Sequence, residues 1–218
     1  MNHLFAYFDR TLIHPNVTIA EQDEALDEVN QLGLAGLVVA PFWVKKHRRD
    51  LGTAHPATLT ATVGFPYGYQ RTEVKQLELE LALTDGANAV EVALNTSAFF
   101  SPSSVWLKIE LAKLVALAHA REIPLTVVLE TTFFTPDQCQ RLIKLAADAG
   151  ADGFKNSTGV TAEAFSLKKA LLFRQYVPAD LAVYIRADGA TQTEMETLMA
   201  AGVNRLGLQA LPSLSTKT

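Results

Sequence analysis

The feature that most constrains this chain is a regular alternation. Eight short runs rich in apolar and β-branched residues lie at positions 4–9, 35–40, 58–65, 89–94, 125–130, 152–156, 182–187 and 205–209. Longer stretches with helical spacing of apolar residues separate them. Most of the short runs read as hydrophobic on both sides, as expected for parallel strands covered by helices. Strand–helix alternation repeated eight times predicts an α/β fold, a (β/α)8 barrel, over residues 1–218 as a single domain. An open doubly wound sheet is the alternative. The chain carries neither a glycine-rich dinucleotide fingerprint nor a phosphate loop ending in Gly-Lys-Ser/Thr, which weighs against it. The chain stops soon after the eighth run, with "LPSLSTKT", so the last helix is expected to be short or missing.

The helical stretches carry their own start and stop signals. Thr18 with Glu21 and Thr193 with Glu196 have capping-box spacing, and Thr135-Pro136-Asp137-Gln138 adds a proline at the first helical position. Gly33, Gly86, Gly150 and Gly202 stand where helices should end, because glycine adopts the left-handed closing conformation at low cost. "TDGANAVEV", "DAGADGFKN" and "AAGVNRLGL" read as one recurring helix-stop-then-strand unit.

Composition narrows the partners. At 218 residues, 49% hydrophobic and 19% charged, the chain has ample core and no disorder signature. A net charge of -4, with Lys and Arg spread along the chain, argues against nucleic acid. No apolar run approaches the ~20 residues that cross a bilayer. The lone cysteine, Cys139, has no internal partner, and the N-terminus lacks a signal-peptide pattern, so a cytoplasmic setting is expected. The five histidines show no metal-ligand spacing, so no metal is expected. "KKHRR" at 45–49 reads as a solvated helix face rather than an anion site. Trp106, Leu107, Ile109, Leu111, Leu114 and Val115 form an apolar helix stripe, explained by barrel packing, with a homo-oligomer interface as the secondary reading.

Chemistry in such barrels sits at the C-terminal ends of the strands. Asp9, Glu130, Lys155, Arg186 and Asp188 fall near strand ends, and Glu91 lies inside "AVEVAL". An ionised carboxylate in an apolar strand is costly unless paired, and Lys155 and Arg186 are its natural partners across the barrel. These residues form either a structural ion cluster or a catalytic one, and barrel geometry favours the latter. A lysine attacks a carbonyl only as a neutral amine, the form favoured by apolar burial and a nearby fixed positive charge. The resulting iminium is an electron sink that lets an adjacent C–C bond form or break. A carboxylate, Glu91, would move the protons. The "NSTG" turn after Lys155 would orient substrate oxygens through hydroxyls and backbone N–H groups.

With these residues in place, the chain resembles the deoxyribose-phosphate aldolase family of class I aldolases. "FDRTLIHP", "LVVAPFWV", "ATVGFPYGYQRTEVK", "VVLET" and "GADGFKNSTGV" are similar to that family's motifs, in order, over nearly the whole chain. The resemblance implies a TIM barrel and a reversible aldol reaction of a small aldehyde such as acetaldehyde. It implies Lys155 as the Schiff-base nucleophile, Asp9 in the proton network, and no cofactor. The family has aspartate where Glu91 stands and a second lysine where Arg186 stands. Arg186 is then expected to act on Lys155 and Glu91 through its charge, since a guanidinium does not readily shuttle protons. Thr158, Gly159, Gly189 and Gly207 would line the substrate site. The family's phosphate-binding Gly-Gly and Gly-x-Ser-Ser become Asp188-Gly189-Ala190 and Gly207-Leu208-Gln209-Ala210, so the acceptor is either a sugar phosphate or an altered, unphosphorylated aldehyde. The alternative is a catalytically divergent relative that binds a metabolite or protein without turnover.

Overall fold

The computed structural model describes residues 2–101, 105–161 and 163–212. Among them, eight parallel strands close into a barrel in sequence order: β1 Phe8–Leu12, β2 Gly36–Val39, β3 Thr58–Val63, β4 Ala89–Ala93, β5 Leu125–Val128, β6 Gly153–Lys155, β7 Ala182–Arg186 and β8 Arg205–Leu208. β8 closes on β1, with Asp9 opposite Gly207. The helices are α1 Ile19–Leu32, α2 Pro41–Leu51, α3 Thr72–Thr84, α4 Thr96–Phe100, α5 Val105–His119, α6 Pro136–Asp148, α7 Leu167–Tyr176 and α8 Gln192–Ala200. The expected (β/α)8 barrel is the fold. Among the described residues no helix follows β8, and positions 213–218 of the tail lie outside them. No described helix is long and apolar enough to cross a membrane.

Two expectations about the strands are corrected. The run at 4–9 is a 3-10 turn over Asn2–Tyr7, and β1 starts at Phe8, so Asp9 sits low in its strand rather than at its C-terminal end. The strands are also not apolar on both faces. Leu37, Val39, Leu59, Ala61, Val63, Val90, Val92, Leu125, Val127, Val183, Ile185, Leu206 and Leu208 belong to one core beneath the helices. The alternate positions carry Asp9, Thr11, Thr60, Thr62, Glu91, Thr126 and Lys155, all buried. Side chains alternate across a strand, so these polar groups share the inner face. The barrel thus has an apolar jacket and a polar axis.

The recurring unit seen in the sequence has a structural use. Gly86, Gly150 and Gly202 take positive φ values of 105°, 97° and 86°. Two residues after each, Asn88, Asp152 and Asn204 clamp the preceding odd-numbered strand. Their side chains accept the N–H groups of Leu59, Leu125 and Val183, at 2.7, 2.7 and 2.8 Å. Their own backbone N–H groups donate to the carbonyls of the same three residues. Each clamp fixes where β3, β5 and β7 begin. The capping boxes at Thr18 and Thr135 form as expected. The one expected at Thr193 forms instead at Thr191 with Glu194, because α8 begins two residues earlier.

The α5 stripe splits. Leu107, Leu111, Leu114 and Val115 are buried, whereas Trp106 and Ile109 are exposed, the former by 72%. The basic run on α2 is paired within the fold. Lys46 contacts Asp23 and Asp50, Arg49 contacts Asp50, Arg48 donates to the Gly86 carbonyl, and buried His47 hydrogen-bonds Gln22.

Candidate active site

Strand register sets the height of each inner side chain. Glu91 on β4 lies opposite Thr126 of β5, and Lys155 on β6 lies opposite Val128 on one side and Tyr184 on the other. From these neighbouring levels Lys155 reaches over β5 to β4, and its Nζ lies 2.8 Å from both Oε1 and Oε2 of Glu91. Both residues are at most 5% exposed. An ammonium and a carboxylate this dry need each other, since removing either leaves an uncompensated buried charge.

Asp9 sits one side chain away in this polar column. Its Oδ1 accepts from Arg205 Nη1 at 2.9 Å. Burial pushes the Asp9 carboxyl above the usual aspartate range, with Arg205 and the charge of Lys155 opposing that shift and Glu91 adding to it. Arg205 also donates to the Ala35 carbonyl and Thr58 Oγ1, so it closes the floor of the barrel. Tyr184 faces the same column, and burial, reinforced by the Asp9 and Glu91 charges, pushes its phenol up.

Arg186 departs from the expectation. Its Nε donates to Asp188 Oδ2 at 2.8 Å, and both side chains are partly exposed at the rim. It is level with Gly207, one inner position above Tyr184, and finds its carboxylate two residues along its own chain. Pairing locally at the wet rim costs less than driving a second cation into the dry axis beside Lys155. The cation paired with Asp9, at the start of β8, is Arg205.

The "NSTG" turn is also used differently. Glu130 at the end of β5 accepts from Ser157 Oγ, Thr158 N, Thr158 Oγ1 and Thr161 Oγ1, at 2.6–3.1 Å. Gly159 N donates to Ser157 Oγ, and Val160 N to Thr158 Oγ1. The hydroxyls and amides expected to hold substrate are thus tied to Glu130 and to one another. Gly159, at φ 79°, makes room for Arg186, whose Nε would lie 3.0 Å from an added Cβ. Gly189 is exposed, with no atom within 4 Å of an added Cβ. Gly207 faces the amine: an added Cβ would stand 3.6 Å from Lys155 Nζ and 3.3 Å from Thr11 Oγ1. A small pocket at the mouth is lined by Thr11, Lys155, Thr158, Arg186, Asp188 and Gly207 among others.

The sequence marked Glu130 only as a strand-end carboxylate, without a role, and did not mark Arg205. Arg205 was findable by alternation, since it precedes Gly207 by two and so shares its inward face. Glu130 had a weaker signal, a carboxylate at a strand end with serine and threonine nearby only in the fold. The "VGFPYG…TEVK" block is structural. Fully buried Lys75 crosses Gly64 to the Ala93 carbonyl and to Glu110 of α5, at 3.2 and 2.7 Å. That contact fixes α3 and α5 against the end of β4, the strand that carries Glu91.

No protein-family model matches the chain. It is 35% identical to deoxyribose-phosphate aldolase of Thermus thermophilus over 207 residues, which cover 94% of this chain and 91% of that one. It is 30% identical to deoxyribose-phosphate aldolase of Thermococcus kodakarensis over 202 residues, 92% and 90% of the two chains. Among solved structures it is similar to QR15, described as an aldolase, at a TM-score of 0.84 and 25% identity over 96% of this chain and 92% of that one. The tetrameric deoxyribose phosphate aldolase of Aeropyrum pernix shares the fold at a TM-score of 0.82 and 24% identity, over 95% and 87%.

Proposed function

The chain belongs to the deoxyribose-phosphate aldolase family, and from that membership we propose that it is a Schiff-base aldolase with Lys155 as nucleophile and Glu91 as acid–base residue. One observation carries the reading: the Lys155 amine is held at 2.8 Å from each oxygen of a buried carboxylate, at a narrow pocket that Thr158, Arg186 and Asp188 also line. Passing one proton along either hydrogen bond leaves a neutral amine beside a carboxylic acid.

The steps follow from those two groups. The amine lone pair attacks the carbonyl carbon of a small aldehyde, and the carbonyl oxygen takes a proton to become a carbinolamine hydroxyl. Glu91 protonates that hydroxyl, water leaves, and the iminium forms. Loss of a proton from the neighbouring carbon gives an enamine. The enamine carbon bonds to the carbonyl carbon of an acceptor aldehyde, whose oxygen takes a proton. Water then adds to the new iminium, the hydroxy-aldehyde departs, and the amine is restored. Cleavage is the reverse. Asp9 extends the proton network below, and Gly207 leaves space beside the amine for the donor carbon. Arg186 is assigned to the rim, where it holds Asp188.

Borohydride trapping tests the reading. With acetaldehyde, the adduct is expected on the peptide containing Lys155. An adduct confined to other lysines, or none, sinks the proposal and leaves a relative that binds without turnover.

A further inference from the structure

In barrels of this kind the loops after the seventh and eighth strands are where backbone N–H groups hold a substrate phosphate. Here that position is occupied from within. Asp188, in the loop after β7, accepts the backbone N–H of Gln209, just after β8, on its Oδ1 at 2.7 Å. Its Oδ2 accepts Arg186 Nε at 2.8 Å. One internal carboxylate therefore takes both an amide and the guanidinium Nε at the rim. The neighbouring amides of Thr158, Gly159 and Val160 are turned onto Glu130, Ser157 and Thr158.

The charge balance points the same way. Among the described residues of the inner column and rim, Lys155, Arg186 and Arg205 each have their own carboxylate, in Glu91, Asp188 and Asp9. Glu130 adds a fourth carboxylate, satisfied by hydroxyls and an amide. A phosphate entering the mouth meets no cation that lacks a carboxylate partner, and one carboxylate in excess. A hydroxyl, which donates, suits Asp188; a phosphate, which accepts, does not.

We propose that Asp188 determines specificity, so that the site takes a neutral hydroxyaldehyde as acceptor and turns away its phosphorylated counterpart. The inference rests on the Schiff-base reading above. Asp188 and Arg186 are 24% and 23% exposed and line the same pocket as Lys155, where the far end of an acceptor would lie.

The test compares cleavage of 2-deoxyribose and 2-deoxyribose 5-phosphate by the full chain and by Asp188→Ser, with borohydride trapping of acetaldehyde run in parallel. The expected result is a kcat/KM at least tenfold higher for the neutral sugar in the wild type. In Asp188→Ser, which frees Gln209 N–H and Arg186, kcat/KM for the phosphorylated sugar should rise at least tenfold, mainly through KM. A wild-type preference for the phosphorylated sugar overturns the inference, as does a preference unchanged in Asp188→Ser. A Lys155 adduct without cleavage of either sugar also overturns it, while the reading beneath it stands. Absence of the adduct removes that reading and the inference together. Should Asp188→Ser not fold, inorganic phosphate decides on the wild type. Cleavage of 2-deoxyribose unaffected at millimolar phosphate supports the inference, and inhibition below that range overturns it.

Discussion

Lys155 and Glu91 meet through both carboxylate oxygens, 2.8 Å from the amine on either side, at a depth where neither side chain is more than 5% exposed. Removing one partner strands the other. Lys155→Met is expected to cost about 3–5 kcal/mol of stability, because Glu91 loses its counter-charge. The double variant Lys155→Met/Glu91→Gln should recover most of that loss. Urea unfolding of the wild type, both single variants and the double variant gives the coupling.

Turnover should separate proton transfer from charge. Glu91→Gln keeps the shape and removes the transferable proton, and a rate loss of about 10²–10⁴-fold is expected. Glu91→Asp keeps the carboxylate but withdraws it by one methylene, and a displacement on the order of 1 Å costs roughly 100-fold. Steady-state aldol cleavage, with adduct formation timed by borohydride quench, measures both. An unaffected Glu91→Gln would remove Glu91 from the mechanism.

Gly207→Ala places a methyl 3.6 Å from Lys155 Nζ and 3.3 Å from Thr11 Oγ1. The fold should tolerate it, since Gly207 does not take a positive φ and a side chain there meets no backbone strain. The donor aldehyde has to occupy the same space. Adduct formation should slow by roughly 10-fold or more while the unfolding midpoint barely moves. Normal adduct kinetics would mean that the donor approaches the amine from another side.

Glu130→Ala leaves the Ser157, Thr158 and Thr161 donors without their acceptor. Leaving buried donors unsatisfied costs roughly 1–3 kcal/mol each, relieved where water enters, so a loss of at least about 2 kcal/mol is expected. Hydrogen exchange should accelerate at Thr158, Gly159 and Val160 and remain unchanged in β2. Uniform acceleration over the whole barrel would mean that Glu130 supports global stability rather than this turn.

His47 is buried between α2 and Gln22 of α1, and burial depresses its imidazole from 6.5 to about 4, with the charge of Lys46 adding to the shift and Asp50 and Asp23 opposing it. Folded protein therefore binds the proton less readily than unfolded chain. Stability from this site is full above about pH 6.5 and is lost as pH falls toward 4, by on the order of 3 kcal/mol. His47→Gln should lose less stability than the wild type between pH 7 and 4.5. Parallel urea midpoints at the two pH values check it.

The barrel was legible because its evidence is local. Alternating runs, capping boxes at Thr18 and Thr135, and glycines at 33, 86, 150 and 202 each act over a few residues, and those residues are adjacent in the chain. Lys155 and Glu91 were legible for a related reason: a charge in an apolar run is conspicuous wherever the strand goes. The start of β1 was not, because "LFAYF" is apolar whether it turns as a 3-10 helix or extends as a strand.

Pairing is what the sequence left open. Two cations, Lys155 and Arg186, and several carboxylates were visible, and either cation could have been assigned to Glu91. The chain by itself determined the repeat, the helix ends and which residue types carry charge, since these depend on contacts within a few positions. Tertiary structure alone decided that Lys155 takes Glu91, Arg205 takes Asp9, Arg186 stays at the rim with Asp188, and Glu130 gathers the turn after β6. Those choices depend on strand register and on depth below the mouth, where the cost of desolvating a charge changes over a single inner position of the barrel.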